Sequence, residues 1–202
     1  MLIACVNQGT KYGAEYVTNL KAGVERYLPT GDHRFVCYTD NPVDGVGCEP
    51  LPADLPGWWA KVGLFKLRQP LLYFDLDVVI TGDLTRAIEW EGFGILNDWW
   101  LPTYNSSVMK LTGNEGFIWD EFNPDERAKW HMGDQHYVTE KMPDAKTFPP
   151  EWFPSFKANK CFQGPPDNAM AVIMHGEPKP HQLGGWVQEQ WANSRSTLNQ
   201  EQ

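Results

Sequence analysis

Basic residues are the scarce charge in this 202-residue chain: 17 Lys and Arg stand against 26 Asp and Glu, a formal net charge of −9. A chain of that sign repels a phosphate backbone at long range, so nucleic acid is excluded as a partner. A local phosphate site stays open, provided it brings its own cations or a metal. Cysteine is scarce too. Cys5, Cys37, Cys48 and Cys161 form no CxxC pair, and they read as small buried thiols in a reducing compartment. No apolar stretch approaches the roughly 18 residues that a membrane span needs. The opening run Leu2 to Val6 is too short for a secretory leader and has no basic flank. A soluble cytoplasmic protein is therefore expected. Internal repeats and low-complexity blocks are absent.

What is present is a globular composition, 42% apolar with ten Trp, long enough to bury a core without disulfides. Apolar runs at Leu2 to Val6, Arg34 to Tyr38, Val46 to Leu51 and Leu71 to Phe74 read as strands. Between them, Val17, Leu20, Val24, Tyr27 and Leu28 recur at helical spacing, ended by Pro29 and Gly31. Trp58, Val62 and Phe65 do so again. This alternation predicts an α/β fold, with a mostly parallel central sheet and helices on both faces. In the second half, Phe93 to Leu96, Val108 to Leu111 and Ala171 to Met174 are candidate strands. Asn114 is a candidate cap for a helix through Phe122, Pro124 a candidate start for another, and Gly133 to Lys141 a further helix. One domain over residues 1–185 is expected, followed by a polar tail over 186–202.

Five segments carry chemistry. Asp75-Leu76-Asp77 follows an apolar strand directly, and residues two apart in extended chain face one side. Open α/β sheets bind ligands beyond the carboxyl ends of their strands, so the two carboxylates either hold a hard divalent cation or are solvated acids in a turn. His175-Gly176-Glu177-Pro178-Lys179-Pro180-His181 follows the last strand. It either offers an imidazole for a metal and a lysine for phosphate on a Gly/Pro-shaped turn or is a surface loop with a chance histidine. Asp134-Gln135 after Gly133 is either a helix cap or a polar pair aimed at sugar hydroxyls. Tyr104 to Met109, with Asn105 and Ser106, is either a turn or a set of hydrogen-bond partners for a sugar. The loop Asn7 to Tyr12, with Tyr16 beyond it, offers rings that would stack on a base, with core packing the equal alternative for Tyr16. Lys61 faces either phosphates or solvent. Trp99, Trp100, Trp152 and Trp186 are candidates for a sugar platform, for the core or for an oligomer contact.

In this order, from Leu2 to about His181, the segments resemble the retaining glycosyltransferases of family 8, the group that includes glycogenin and bacterial lipopolysaccharide galactosyltransferases. The resemblance implies a GT-A-type nucleotide-diphospho-sugar transferase domain. It implies Mn2+ (or Mg2+) held by Asp75, Asp77 and His175, with Lys179 on the diphosphate and Asn7 and Tyr12 at the uridine. Asn105 and Ser106 would touch the donor sugar, and Asp134 and Gln135 would act at the reacting sugar. Three departures stand out: Ser107 where the family has glycine, His181 where it has tryptophan, and a closing loop one residue tighter. The expected activity is retaining transfer of a hexose from a UDP-sugar to an unidentified glycan, lipid-linked, protein or small-molecule acceptor. The alternatives are a nucleotidyltransferase and a non-catalytic nucleotide- or sugar-binding module. Against the first, the Asn7 to Tyr12 loop holds one glycine and one lysine, where a basic, Gly-rich phosphate loop is expected.

Overall fold

The computed structural model describes residues 1–28, 31 and 33–192. Strand β1 (Leu2–Asn7) is central. It pairs in parallel with β2 (Arg34–Thr39) on one side, and beyond β2 lies β3 (Cys48–Glu49), also parallel. On its other side β1 pairs in parallel with β4 (Leu71–Phe74). The chain then makes β5 (Val79–Ile80), β6 (Gly94–Asn97) and β7 (Tyr104–Leu111). β7 lies antiparallel on β4, and β6 closes the edge, giving the order β3-β2-β1-β4-β7-β6. A second, two-stranded sheet joins β5 to β8 (Ala171–Val172) in antiparallel register. The parallel half and the covered faces agree with the α/β expectation.

Alternation along the strands divides the core in two. Ile3 and Cys5 of β1 and Leu72 and Phe74 of β4 pack with Val17, Leu20 and Val24 of helix α1 (Ala14–Tyr27). Ala4 of β1 and Leu71 and Tyr73 of β4 face the opposite cluster, with Trp59, Val62 and Phe65. Both faces of the sheet are thereby buried, which is why β4 reads as an unbroken apolar run.

The segment expected to be an α-helix over Trp58 to Leu67 is a 3₁₀ helix, Gly57–Leu67. Side chains three apart eclipse in that geometry. Trp59, Val62 and Phe65 therefore form the buried stripe, and Trp58, read on the stripe from a 3.6-residue period, points outward and is 60% exposed. β7 begins four residues earlier than the strand read from the sequence. Tyr104 to Ser107, for which a turn was one reading, is buried strand, with Tyr104 and Asn105 paired to β6.

Short helices α2 (Thr85–Ile88), α3 (Gly116–Asp120) and α4 (Asp134–Lys141) follow. Asn114 does not cap α3. The Glu115 carboxylate instead accepts the amides of Thr112 and Gly113. Pro124 opens a 3₁₀ turn, Pro124–Lys129, where the Asn123 side chain accepts the Asp125 amide.

The expected tail is a helix over its first seven residues, α5 (Trp186–Ala192), because its Val187 and Trp191 reach the core beside α1. Residues 193–202 lie outside the described residues, as does Pro29, expected to end α1. No helix among the described residues is long and apolar enough to cross a membrane.

Candidate functional site

β4 delivers Asp75 and Asp77 to the carboxyl edge of the parallel strands. The Asp75 amide continues the ladder by donating to the Ser107 carbonyl, and the Val78 amide closes a turn on the Asp75 carbonyl. Asp75-Leu76-Asp77 thus bridges the large sheet and β5, and all three residues line a cavity of about 590 Å3. That volume lies in the range of small-molecule sites.

Each carboxylate is matched by donors. The Tyr73 hydroxyl donates to Asp75 Oδ1 at 2.6 Å, and Lys61 Nζ stands 3.2 Å from the same oxygen. The Tyr12 hydroxyl donates to Asp77 Oδ2 at 2.9 Å, and Lys179 Nζ pairs with that oxygen. Burial and the Asp77 charge together push the Tyr12 phenol well above its ordinary range, so it stays a donor.

Lys61, on the buried side of the 3₁₀ helix, also donates to Ser106 Oγ at 2.9 Å and lies 3.3 Å from Asp134 Oδ2. The Ser106 hydroxyl donates a hydrogen bond to Asp134 Oδ2. Burial works against the lysine's charge, but Asp134 and Asp75 more than offset it and raise the ammonium pKa. Burial raises the Asp134 carboxyl, with Lys61 and Ser106 pulling the other way. Asp134 opens α4 directly after Gly133, whose φ of 75° and ψ of −150° belong to a region open essentially to glycine.

His175, beyond β8, shares a hydrogen bond between its Nε2 and Ser155 Oγ at 3.1 Å. Its Nδ1 is buried without a hydrogen-bond partner among the described residues. Burial, helped by nearby Lys157 and opposed by Asp98, brings its pKa down to about 4, so the ring is neutral at pH 7. Lys179 and the Tyr16 hydroxyl, bonded to His181 Nδ1, tie this closing loop to the rest of the site.

The structure brings together, on one cavity wall, Tyr12, Lys61, Asp75, Asp77, Asn105, Asp134, Gln135, His175 and Lys179 from the sequence-derived set. Two others sit elsewhere. Ser106 lies beneath the wall, under Lys61 and Asp134, because strand alternation turns it away from its lining neighbours Asn105 and Ser107. Asn7 is buried behind the wall, again by alternation, with Val6 and Gln8 in the lining and its own Oδ1 unpartnered. Tyr16 is a core residue, 3% exposed, packed on Tyr12 and Trp191. Sequence reasoning missed Gln8, Tyr73 and His131 as lining residues. Tyr73 had a signal, since residues two apart on a strand share a face and its hydroxyl meets Asp75.

A divalent cation is implied by the resemblance. Two carboxylates and a neutral imidazole with a free Nδ1, its other nitrogen held by Ser155, are suited in kind to such an ion. As they stand, no three His, Cys, Asp or Glu side chains among the described residues lie close enough to hold one. Lys179 and Lys61 occupy the carboxylates instead.

No family model and no curated protein matches this chain. Solved structures do. An active-site mutant of LgtC, 14% identical, superimposes with a TM-score of 0.70 over 96% of this chain and 94% of that one. The galactosyltransferase LgtC in complex with donor and acceptor sugar analogues gives 0.65 at 14% identity, over 89% of each chain. The glycosyltransferase GlyE of Streptococcus pneumoniae gives 0.72 at 13% identity, over 95% of this chain and 60% of that one. At these identities the likeness is one of fold, and the fold is that of GT-A-type glycosyltransferases.

Proposed function

We propose that the chain is a metal-dependent glycosyltransferase that moves a hexosyl group from a UDP-sugar, UDP-glucose or UDP-galactose first, to an acceptor hydroxyl with retention of configuration. The observation that carries this reading is the convergence, in one cavity of a glycosyltransferase fold, of two strand-end carboxylates, a neutral histidine with a free nitrogen, and two lysines.

Asp75, Asp77 and His175 are the ligands for Mn2+ or Mg2+, which when bound would supply positive charge against the diphosphate leaving group. Lys179 exchanges its partner Asp77 for a phosphate oxygen. The base lies by Gln8 and Tyr12, where the buried Gln8 Oε1 has no partner and is available to an imide N–H. Asn105, Gln135 and Asp134 face the donor sugar. Asp134, fixed by Ser106 and Lys61, sets a negative charge beside the ring as positive charge develops at its anomeric carbon. The bond from that carbon to the phosphate oxygen breaks, and the bond to the acceptor oxygen forms on the same face. The departing phosphate oxygen takes the acceptor proton.

Calorimetric titration of UDP, with Mn2+ and then with EDTA, on the wild type and on Asp77→Ala tests the site. Chelation and the substitution are each expected to weaken UDP binding by at least about tenfold. UDP binding indifferent to both would remove the metal assignment and favour a binding module. Absence of UDP binding under every condition would remove the uridine reading. An inverted anomer in the product, read by NMR, would sink retention.

A further inference from the structure

Two of the ten tryptophans are left open to solvent: Trp58 lines the cavity, and Trp100 packs on its lining residue His175. Trp58 and Trp100 are each 60% exposed. Of the four tryptophans raised as a sugar platform from the sequence, Trp152 is buried against Trp90 and Phe148. The Trp186 indole N–H is committed to the Cys161 carbonyl. Trp99 packs on His175. Trp100 alone among them presents most of its ring, and Trp58 joins it through the 3₁₀ register. An indole left this open forgoes the hydrophobic gain that burial brings to aromatic side chains, so two of them beside one cavity call for an occupant.

Neither ring stands loosely. Trp58 lines the cavity and lies over Gly133, where a Cβ would fall 2.3 Å from its Nε1. Trp100 sits on a turn whose amides, its own at 2.9 Å and that of Leu101 at 3.0 Å, donate to Asp98 Oδ1. Its ring meets that of His175 edge-on, 4.5 Å between centroids. Polar groups accompany each: Gln135 and His131 share the cavity wall with Trp58, and the Asp98 carboxylate lies at the base of the Trp100 turn. Separate flat aromatic faces, each beside hydrogen-bonding groups, match a pyranose ring, which has a C–H face and a hydroxyl edge. A lipid tail would want a continuous apolar groove, and an anionic membrane would be repelled by the net charge of −9.

We infer that the acceptor is a saccharide, and that Trp58 and Trp100 are the platforms on which its sugar rings stack at the mouth of the cavity. That this saccharide is an acceptor rests on the glycosyltransferase reading above; that the platform binds sugar does not.

The test is saturation-transfer NMR with lactose, maltose and cellobiose as probes, on the protein alone and on the protein carrying UDP and Mn2+. At least one disaccharide is expected to receive saturation, chiefly at ring C–H positions. Trp58→Ala and Trp100→Ala are each expected to weaken that disaccharide by at least about tenfold, with the UDP affinity of Trp58→Ala within about twofold of wild type. Trp100→Phe should recover part of the loss. Both rings are exposed, so thermal melts of the two alanine variants check that folding is intact. Failure of all three disaccharides to bind, or binding that ignores both substitutions, overturns the inference. Disaccharide binding without UDP binding would keep the platform and count against the UDP-sugar reading instead.

Discussion

Lys61 is the residue on which the polar interior of the site turns. Its ammonium is enclosed by Asp75, Asp134 and Ser106, and it is the cation that faces both carboxylates, each of which has one hydroxyl donor besides, Tyr73 for Asp75 and Ser106 for Asp134. Removing one member of a buried charge group leaves the rest uncompensated. Lys61→Met is expected to cost about 3 kcal/mol of stability in urea unfolding. Adding Asp134→Asn should recover part of that cost, because the orphaned charge goes with it. At this scale the sequence was informative where chemistry and position coincide. Asp75 and Asp77 come at the end of β4, and a strand end in an open sheet is a place where side chains meet ligands, while His175 and Lys179 lie in the loop beyond β8. It was uninformative for Lys61, whose surroundings come from β7 and α4, far away in sequence. It misplaced Asn7 and Ser106, because one step along a strand reverses the face.

Among the elements, the start of α4 is the most constrained. Gly133 combines a backbone conformation closed to other residues with an indole packed where a side chain would begin. Gly133→Ala is expected to cost about 1–3 kcal/mol, and it should also move Trp58 and Asp134 together. Chemical denaturation measures the first effect. Tryptophan emission compared with that of Trp58→Phe, a variant that removes the reporting ring, checks the second. The Gly133-Asp134-Gln135 motif was visible in the sequence, but the reason for its glycine was not, since that reason is a contact with residue 58. The 3₁₀ helix was misread for a similar cause. With buried residues at 59, 62 and 65, the period is three, and Trp58 falls on an α-helical stripe only if one assumes the commoner helix.

For the whole molecule, α5 fastens the far end of the described chain to α1. Trp191 is 7% exposed, lies 5.0 Å from the Tyr16 ring, and its indole nitrogen has no partner among the described residues, so the contribution seen is packing. Trp191→Ala is expected to cost about 3–5 kcal/mol. At roughly 2–4 °C per kcal/mol for a domain of this size, that is a melting-temperature drop of about 6–20 °C, readable by calorimetry. The same change should loosen the Tyr16–His181 bond that tethers the closing loop. Fold class was legible from the alternation of strands and helices. The two-stranded sheet was not, because β5 and β8 are two residues each and lie more than ninety positions apart.

That second sheet gives the acidic motif a mechanical meaning. Phe74 is the last residue of a strand in the large sheet and Val79 the first of a strand in the small one, so Asp75-Leu76-Asp77 is the joint between two plates. One carboxylate rides at the rim of the large plate through the Asp75–Ser107 bond, and the other is clasped by Tyr12 and Lys179. A group that gripped both carboxylates would therefore tie the rim of the large sheet to the loop beyond β8, which carries His175 and Lys179.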